Sequence, residues 1–442
     1  MVRVELRTAA DALELAGRSV AAAPRAALPT HARSRVLAAT ADAIEKELEA
    51  FARLIVQEVR KPLKEARREV ERAAFTFRWA SEEARRINGE VLPLDLDANS
   101  EGRYALVRRV PRGPALFITP FNFPLNLAAH KIAPAIAAGL PFILKPDPRG
   151  AGTAEKLVEI LHAAGWPAEA ALLAQGENAV VEVLVRDDRL RILSFTGSTS
   201  AGWHLKSIAG KKHCVLELGG NAGVFVAADA DLPWAAARCA WGAFAYSGQT
   251  CISVQRIAVE RSVHAEFRKL LVQNISELKT GDPCDELTDV GPMIDETSAA
   301  RVEDWIKEAV ARGARLWAGG ARQGAFLPPA LVENAPADCR LSCEEAFGPV
   351  ATLEALDSRE RALDRLSEGR YGLQAGIFTN DLSFVHRAFD RLPVGALVVN
   401  DVPTYRADSA PYGGVRDSGM GREGVRWAIE EYTERKTLLM KP

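Results

Sequence analysis

A glutamate beside a glycine pair and a cysteine behind a glycine–glutamine turn are the residues of this chain best suited to chemistry. Glu217 lies in LELGGN (Leu216–Asn221) and Cys251 closes FAYSGQTC (Phe244–Cys251). A cysteine nucleophile needs something that makes or keeps the thiolate, and something that later activates water against the thioester. A carboxylate within reach of a bound water is a competent general base, so Glu217 can fill the second need. Taken alone, the same two residues also describe a surface glutamate and an unrelated core cysteine, because free cysteine commonly serves as a small buried hydrophobe.

The elements that must position this pair can be read on both sides of it. Leu37, Ala41, Ile44, Leu48, Phe51 and Ile55 recur in steps of four and three, so residues 9 to about 88 are expected to be helical. Pro62 suits the first turn of one of these helices. Residues 91–112 change character: RYALVRRVPRG alternates and is β-prone, and a two-stranded ribbon there would be marginal alone. From Pro114 the pattern becomes strand, loop, helix. ALFITP, FILKP and RILSFTG read as short buried strands, and NFPLNLAAHKIAPAIAAG reads as a helix stopped by Gly139. Such alternation argues for a parallel sheet with both faces covered, which binds ligands beyond the strand C-termini. The loops after these three strands are therefore expected to share one crevice. Farther on, QRIAVE, GLQAGIFTN and ALVVND read as strands, and ETSAARVEDWIKEAVARG and SFVHRAFDRL as helices.

The loop GSTSAG (Gly197–Gly202) is neither a P-loop nor GxGxxG, since Trp203 stands where a P-loop lysine would be. It does place a glycine and a hydroxyl at the mouth of a helix, where free N–H groups suit a pyrophosphate. An ordinary helix cap fits the same spacing.

Seven runs together carry a resemblance: Thr119–Gly139, Phe142–Pro146, Ser194–Gly202, Leu216–Asn221, Ser247–Arg256, Glu344–Val350 and Pro411–Gly424. In order and spacing this set resembles the NAD(P)-dependent aldehyde dehydrogenase superfamily, from about Ala10 to the end of the chain. The resemblance implies that Cys251 attacks an aldehyde, that Asn122 and the Cys251 N–H hold the oxyanion, and that Glu217 activates water. Removing one oxyanion donor typically costs about 10²–10³ in rate. It implies a cofactor site of Thr119, Phe121, Lys145, Gly197, Ser198, Leu218, Gly219, Glu345 and Phe347, and a substrate tunnel near His130, Thr250, Asn400, Tyr405 and Arg406. NDVPTYR with SGQTCISVQR is similar to the branch of lactaldehyde, glycolaldehyde and phosphonoacetaldehyde dehydrogenases. Arg406 could then pair with an anionic substrate tail. Many NAD-preferring relatives carry a glutamate three residues after the lysine, where this chain has Pro148 with Asp147 beside it, so NAD and NADP both stay open as cofactor. The short leading strands of many relatives are expected to be missing.

The expected fold is α/β and aldehyde dehydrogenase-like. A Rossmann-type cofactor domain is assigned to 1–91 and 113–218, an α/β catalytic domain to 219–427, and a β oligomerisation element to 92–112 with 428–442. At 442 residues the chain is long enough for two or three such domains. A net charge of −2 gives no electrostatic case for nucleic acid or an anionic membrane. The N-terminus carries charges throughout and does not read as a signal peptide. The six cysteines show no paired framework, and neither Cys339 nor Cys343 has partners at zinc-site spacing, so a cytoplasmic protein without a metal site is expected. The expected function is NAD(P)-dependent oxidation of a small polar or anionic aldehyde to the acid by a homodimer or homotetramer. A CoA-acylating enzyme, a phosphorylating semialdehyde dehydrogenase and a catalytically silent homologue are the alternatives.

Overall fold

A computed structural model describes residues 3–441. Two seven-stranded sheets and a three-stranded sheet make up its β structure. The first sheet runs in the order Arg3–Leu6, Ala171–Gly176, Phe142–Pro146, Ala115–Thr119, Ile192–Thr196, His213–Glu217, Gly419–Met420. Its first six strands pair in parallel and the last is antiparallel. Ala115–Thr119, Phe142–Pro146 and Ile192–Thr196 are buried at every position, as strands covered on both faces must be.

The expectation of a chain without leading strands is corrected here. Arg3–Leu6 forms an edge strand paired in register with Leu173–Gly176, ahead of the first helix, Ala9–Ala21. Of its four residues RVEL only Leu6 is buried, so its sequence gives little hydrophobic signal.

The second sheet is built from Arg315–Ala318, Ala330–Glu333, Val350–Leu356, Val254–Glu260, Ala222–Val226, Gln374–Phe378 and Ala396–Val399, in that order. The chain passes from the first sheet to the second between Glu217 and Ala222. Gly419–Met420 then returns from the C-terminal half to pair with Leu216 and Glu217. Leu218 N donates to Ser418 O at 3.0 Å and Ser418 Oγ donates to Gly219 O at 2.7 Å, so this return seam closes on the backbone around the glutamate.

The third sheet pairs Thr433–Met440 antiparallel with Tyr104–Pro111 over all eight residues, with Glu90–Pro93 on the other side. Leu438 and Leu439 on its outer strand are 54% and 67% exposed. Among the described residues no helix is long and apolar enough to cross a membrane.

Candidate active site

The loops after Ala115–Thr119, Phe142–Pro146 and Ile192–Thr196 do meet, at one cavity of about 650 Å³. Glu217 enters it from the end of its strand, Asn122 from the turn after Thr119, and Cys251 from the turn before Val254–Glu260. These three side chains line the same space.

The cysteine sits on a constrained turn. Tyr246 and Ser247 have φ of 49° and 55°, a left-handed conformation that costs a non-glycine residue about 1–3 kcal/mol unless its surroundings impose it. Here they do. Tyr246 OH donates to Val59 O at 2.9 Å, Ser247 Oγ donates to Gly291 O at 2.6 Å, and Ile294 N donates to Gln249 Oε1 at 2.9 Å. Asn122 Nδ2 donates to Gln249 O at 3.0 Å, which ties the amide to the cysteine loop. A Cβ on Gly220 would collide with the Cys251 carbonyl, so this position of LELGGN has to be glycine. On the other side of the amide, the Glu69 carboxylate accepts from Leu125 N and Asn126 N at 2.9 and 3.1 Å. Its fully buried partner Lys61 lies 3.5 Å from the centroid of the Phe123 ring.

Electrostatics separate two neighbouring carboxylates. Glu423 is fully buried, a penalty outweighed by Lys131, which donates to it at 3.0 Å, and by Arg406 at 3.1 Å; its carboxyl is held down at about 2. Both oxygens of Glu217 are buried and have no hydrogen-bond partner among the described residues. Burial first, and the ionised Glu423 second, hold Glu217 well above the usual carboxylate range. A carboxylate raised in this way is a stronger proton acceptor once it is ionised. Burial also pushes the Cys251 thiol up to about 12, partly opposed by a hydrogen bond to Tyr412.

Comparison with known proteins adds to this geometry. The family model described as "Aldehyde dehydrogenase family" matches residues 1–438. The chain belongs to the aldehyde dehydrogenase family. It is 42% identical over 409 residues to the 3-sulfolactaldehyde dehydrogenase of Priestia aryabhattai, covering 92% of this chain and 86% of the relative. Aldehyde dehydrogenase 21 of Physcomitrella patens, solved with its reaction product succinate, superposes with a TM-score of 0.96 at 41% identity, covering 98% and 91% of the two chains. The glyceraldehyde-3-phosphate dehydrogenase GapN of Methanocaldococcus jannaschii, solved with NADP, gives a TM-score of 0.95 at 35% identity, covering 99% and 96%. The protein is thus an oxidoreductase acting on aldehydes, with NAD or NADP as cofactor.

An aldehyde dehydrogenase must hold a dinucleotide, and the residues present fit one. Thr119, Phe121, Gly197, Ser198, Leu218 and Gly219 line the crevice, joined by Lys145, Glu345 and Phe347. Thr119 Oγ1 and Thr196 Oγ1 are buried there without partners among the described residues. Ser198 caps the helix Thr199–Ile208, leaving that helix N-terminus at the cavity wall. Lys145 is desolvated, which lowers its pKa. A Cβ on Gly219 would collide with the Glu345 carboxylate, which accepts from Gly220 N at 3.0 Å; burial raises Glu345 to about 7. Phe347 meets Phe121 edge to face at 6.1 Å.

The substrate-side residues divide. Thr250, Tyr405 and Arg406 line the cavity. Arg406 is buried, which removes the reading of it as a surface ion pair. His130 is a correction. It is fully buried and off the cavity wall, and its Nε2 bonds Asp408 Oδ1 at 2.8 Å. The helix Asn126–Ala138 is buried along its whole length, so no face of it marks the tunnel. Asn400 is also off the wall, with Oδ1 accepting from Thr379 N.

Sequence reasoning missed Arg68, Arg72, Arg238, Tyr412 and Arg149, all of which line the cavity. It also passed over Lys131 and Glu423. The signal for Lys131 was present: a lysine inside an apolar helix needs a buried partner.

Proposed function

We propose that this protein oxidises a small anionic aldehyde to its carboxylic acid through a covalent intermediate on Cys251. The observation that supports this most is the sharing of one cavity wall by Cys251, Glu217 and Asn122. Cys251 Sγ adds to the carbonyl carbon to give a thiohemiacetal. The Asn122 amide, aimed at the cysteine loop, donates to the oxygen that becomes negative. A dinucleotide held by the crevice residues named above would supply the hydride acceptor, and loss of hydride from that carbon would leave a thioester on Cys251. Glu217 takes a proton from water as the water oxygen attacks the thioester, the C–S bond breaks to release the acid, and that proton passes to the departing Cys251 sulfur, which restores the thiol and the Glu217 carboxylate.

The arginines support an anionic substrate. Arg68, Arg72, Arg238 and Arg406 face the cavity from one cluster, with Glu65 beside them. Arg72 stands 6.0 Å from the Phe123 ring centroid, and Arg68 and Arg238 stand 5.4 and 4.3 Å from that of Trp241. Asp408, Asp401 and Glu423, the partners of Arg72, Arg238 and Arg406, do not line the cavity, whereas Glu65, 3.9 Å from Arg68, does. A forked guanidinium pre-set in this way suits a carboxylate or an oxoanion tail. The sulfolactaldehyde relative and the succinate-bound structure are in keeping with such a tail.

A panel of small aldehydes, neutral and anionic, assayed without CoA tests this reading. Anionic members are expected to lead in kcat/KM, and Arg72→Ala to lower kcat/KM about tenfold for them while leaving neutral aldehydes nearly unchanged. Preference for long apolar aldehydes, or acid formed only when CoA is supplied, would remove it.

On the cofactor side, Arg149 holds Asp147 through Nε and Nη2 at 2.9 and 2.8 Å and lies 4.2 Å from the Phe121 centroid. The pair neutralises the carboxylate nearest Lys145, which leaves this corner net positive and favours a 2′-phosphate. Arg149→Ala is expected to weaken NADP binding about tenfold, measured as a Kd by fluorescence quenching, and to change NAD binding little.

The domain division given above, a cytoplasmic location and a homo-oligomer remain part of this proposal. The exposed Leu438 and Leu439 on an edge strand support the last, because an unpaired apolar edge is a pairing surface for another copy. The six free cysteines are in keeping with a reducing compartment.

A further inference from the structure

The Cys251 sulfur has a hydrogen-bond partner outside the set proposed for the reaction. Tyr412 OH lies 3.2 Å from Cys251 Sγ, and the same hydroxyl makes no other hydrogen bond among the described residues. Between a thiol and a phenol either group can donate. Once the sulfur is a thiolate, only the phenol can.

Three features hold the phenol to that task. The Tyr412 backbone is pinned on both sides, its N–H donating to Glu423 O at 3.0 Å and its carbonyl accepting from Glu423 N at 2.7 Å. The ring is buried, with 4% of the residue exposed, so the hydroxyl has little water to bond instead. The Arg406 guanidinium lies 3.8 Å from the ring centroid, and Arg406 is itself fixed by Glu423. A cation on the ring face draws electron density from the phenol and makes its O–H a stronger donor. A phenylalanine would fill the same space and give the sulfur nothing.

We propose that Tyr412 is a catalytic donor, whose hydroxyl hydrogen-bonds the Cys251 thiolate and holds that sulfur in its attacking position while Arg406 polarises the ring from behind. The proposal rests on Cys251 being the nucleophile. It explains how a half-buried thiol in surroundings that disfavour charge can ionise. Burial alone pushes Cys251 upward, and the Tyr412 bond acts in the opposite direction. A hydrogen bond to the charged form favours that form.

The test is the pH dependence of Cys251 alkylation by iodoacetamide, followed at that residue by mass spectrometry in the full-length protein. Tyr412→Phe is expected to raise the midpoint by about one pH unit, so that alkylation at neutral pH slows about tenfold. Replacing Tyr412 by 3-fluorotyrosine keeps the shape and makes a more acidic donor, and should move the midpoint down. A role in packing alone would move neither midpoint. An unchanged midpoint in Tyr412→Phe, with the thermal unfolding midpoint retained, overturns the proposal. If Tyr412→Phe does not fold, the fluorotyrosine protein decides alone: a downward shift supports the donor, and no shift or an upward one removes it. Failure of the underlying reading would show separately, as full turnover by a Cys251→Ala protein whatever the alkylation midpoints.

Discussion

A Cys251→Ala protein is expected to fold, to bind the dinucleotide, and to oxidise aldehydes at least about 10⁴-fold more slowly than the parent. In the proposed reaction the sulfur supplies the bond that turns one difficult step into two easier ones, and no other cysteine side chain lines the cavity to replace it. Cys214 and Cys239 are buried in the cores, and Cys284, Cys339 and Cys343 do not line the cavity. Unfolding would be a poor explanation of the loss, because the turn that presents Cys251 is held by Tyr246, Ser247, Gln249 and Asn122. The measurement is reduced-nicotinamide formation beside a dinucleotide binding isotherm. Turnover within tenfold of the parent would remove the cysteine from the reaction.

Glu217→Gln is expected to separate the two halves of the reaction. Thioester formation should proceed once, giving a burst of reduced nicotinamide equal to the enzyme present, after which steady turnover falls by about 10²–10⁴. The pH dependence has a definite sign. Burial and Glu423 raise Glu217, so at low pH it is protonated and cannot take a proton from water. Deacylation is therefore lost as pH falls through that raised value and recovered above it, and Glu217→Gln should abolish this acid limb. Single-turnover and steady-state rates across pH check both statements. A parallel fall of burst and steady state would place Glu217 before the thioester instead.

Much of this site was legible in the sequence because its parts lie where strands end. Short all-buried strands such as ALFIT and FILKP alternate with helices, and that pattern alone places the loops bearing Asn122 and Lys145 in one crevice. Glu217 and Cys251 became legible through the motifs around them. What stayed hidden depends on tertiary contact. RVEL is a four-residue edge strand with one buried side chain, too weak a pattern to read as β structure. His130 sits in a helix buried on all sides, where periodicity cannot show which face meets a cavity. Arg72 looks like any solvated arginine of a long helix until Asp408, far along the chain, is seen accepting its fork at 2.7 and 2.8 Å. Tyr412 lies in the glycine-dense run Pro411–Gly424, where no local pattern shows that its hydroxyl reaches the sulfur.

The short strand Gly419–Met420 has a consequence for traffic. It is sewn to Leu216 and Glu217 on one flank, while Ser418 also accepts Gly372 N through Oγ at 3.0 Å on the other. Prising the two sheets apart like a clamshell would tear out the proton acceptor's own support and carry Tyr412 away from the sulfur. With the sheets tied in this way, the proposed reaction would take its aldehyde through the cavity as it stands, whose wall includes the exposed Tyr405 and the arginines, and the fixed dimensions of that space would set the size of cargo admitted.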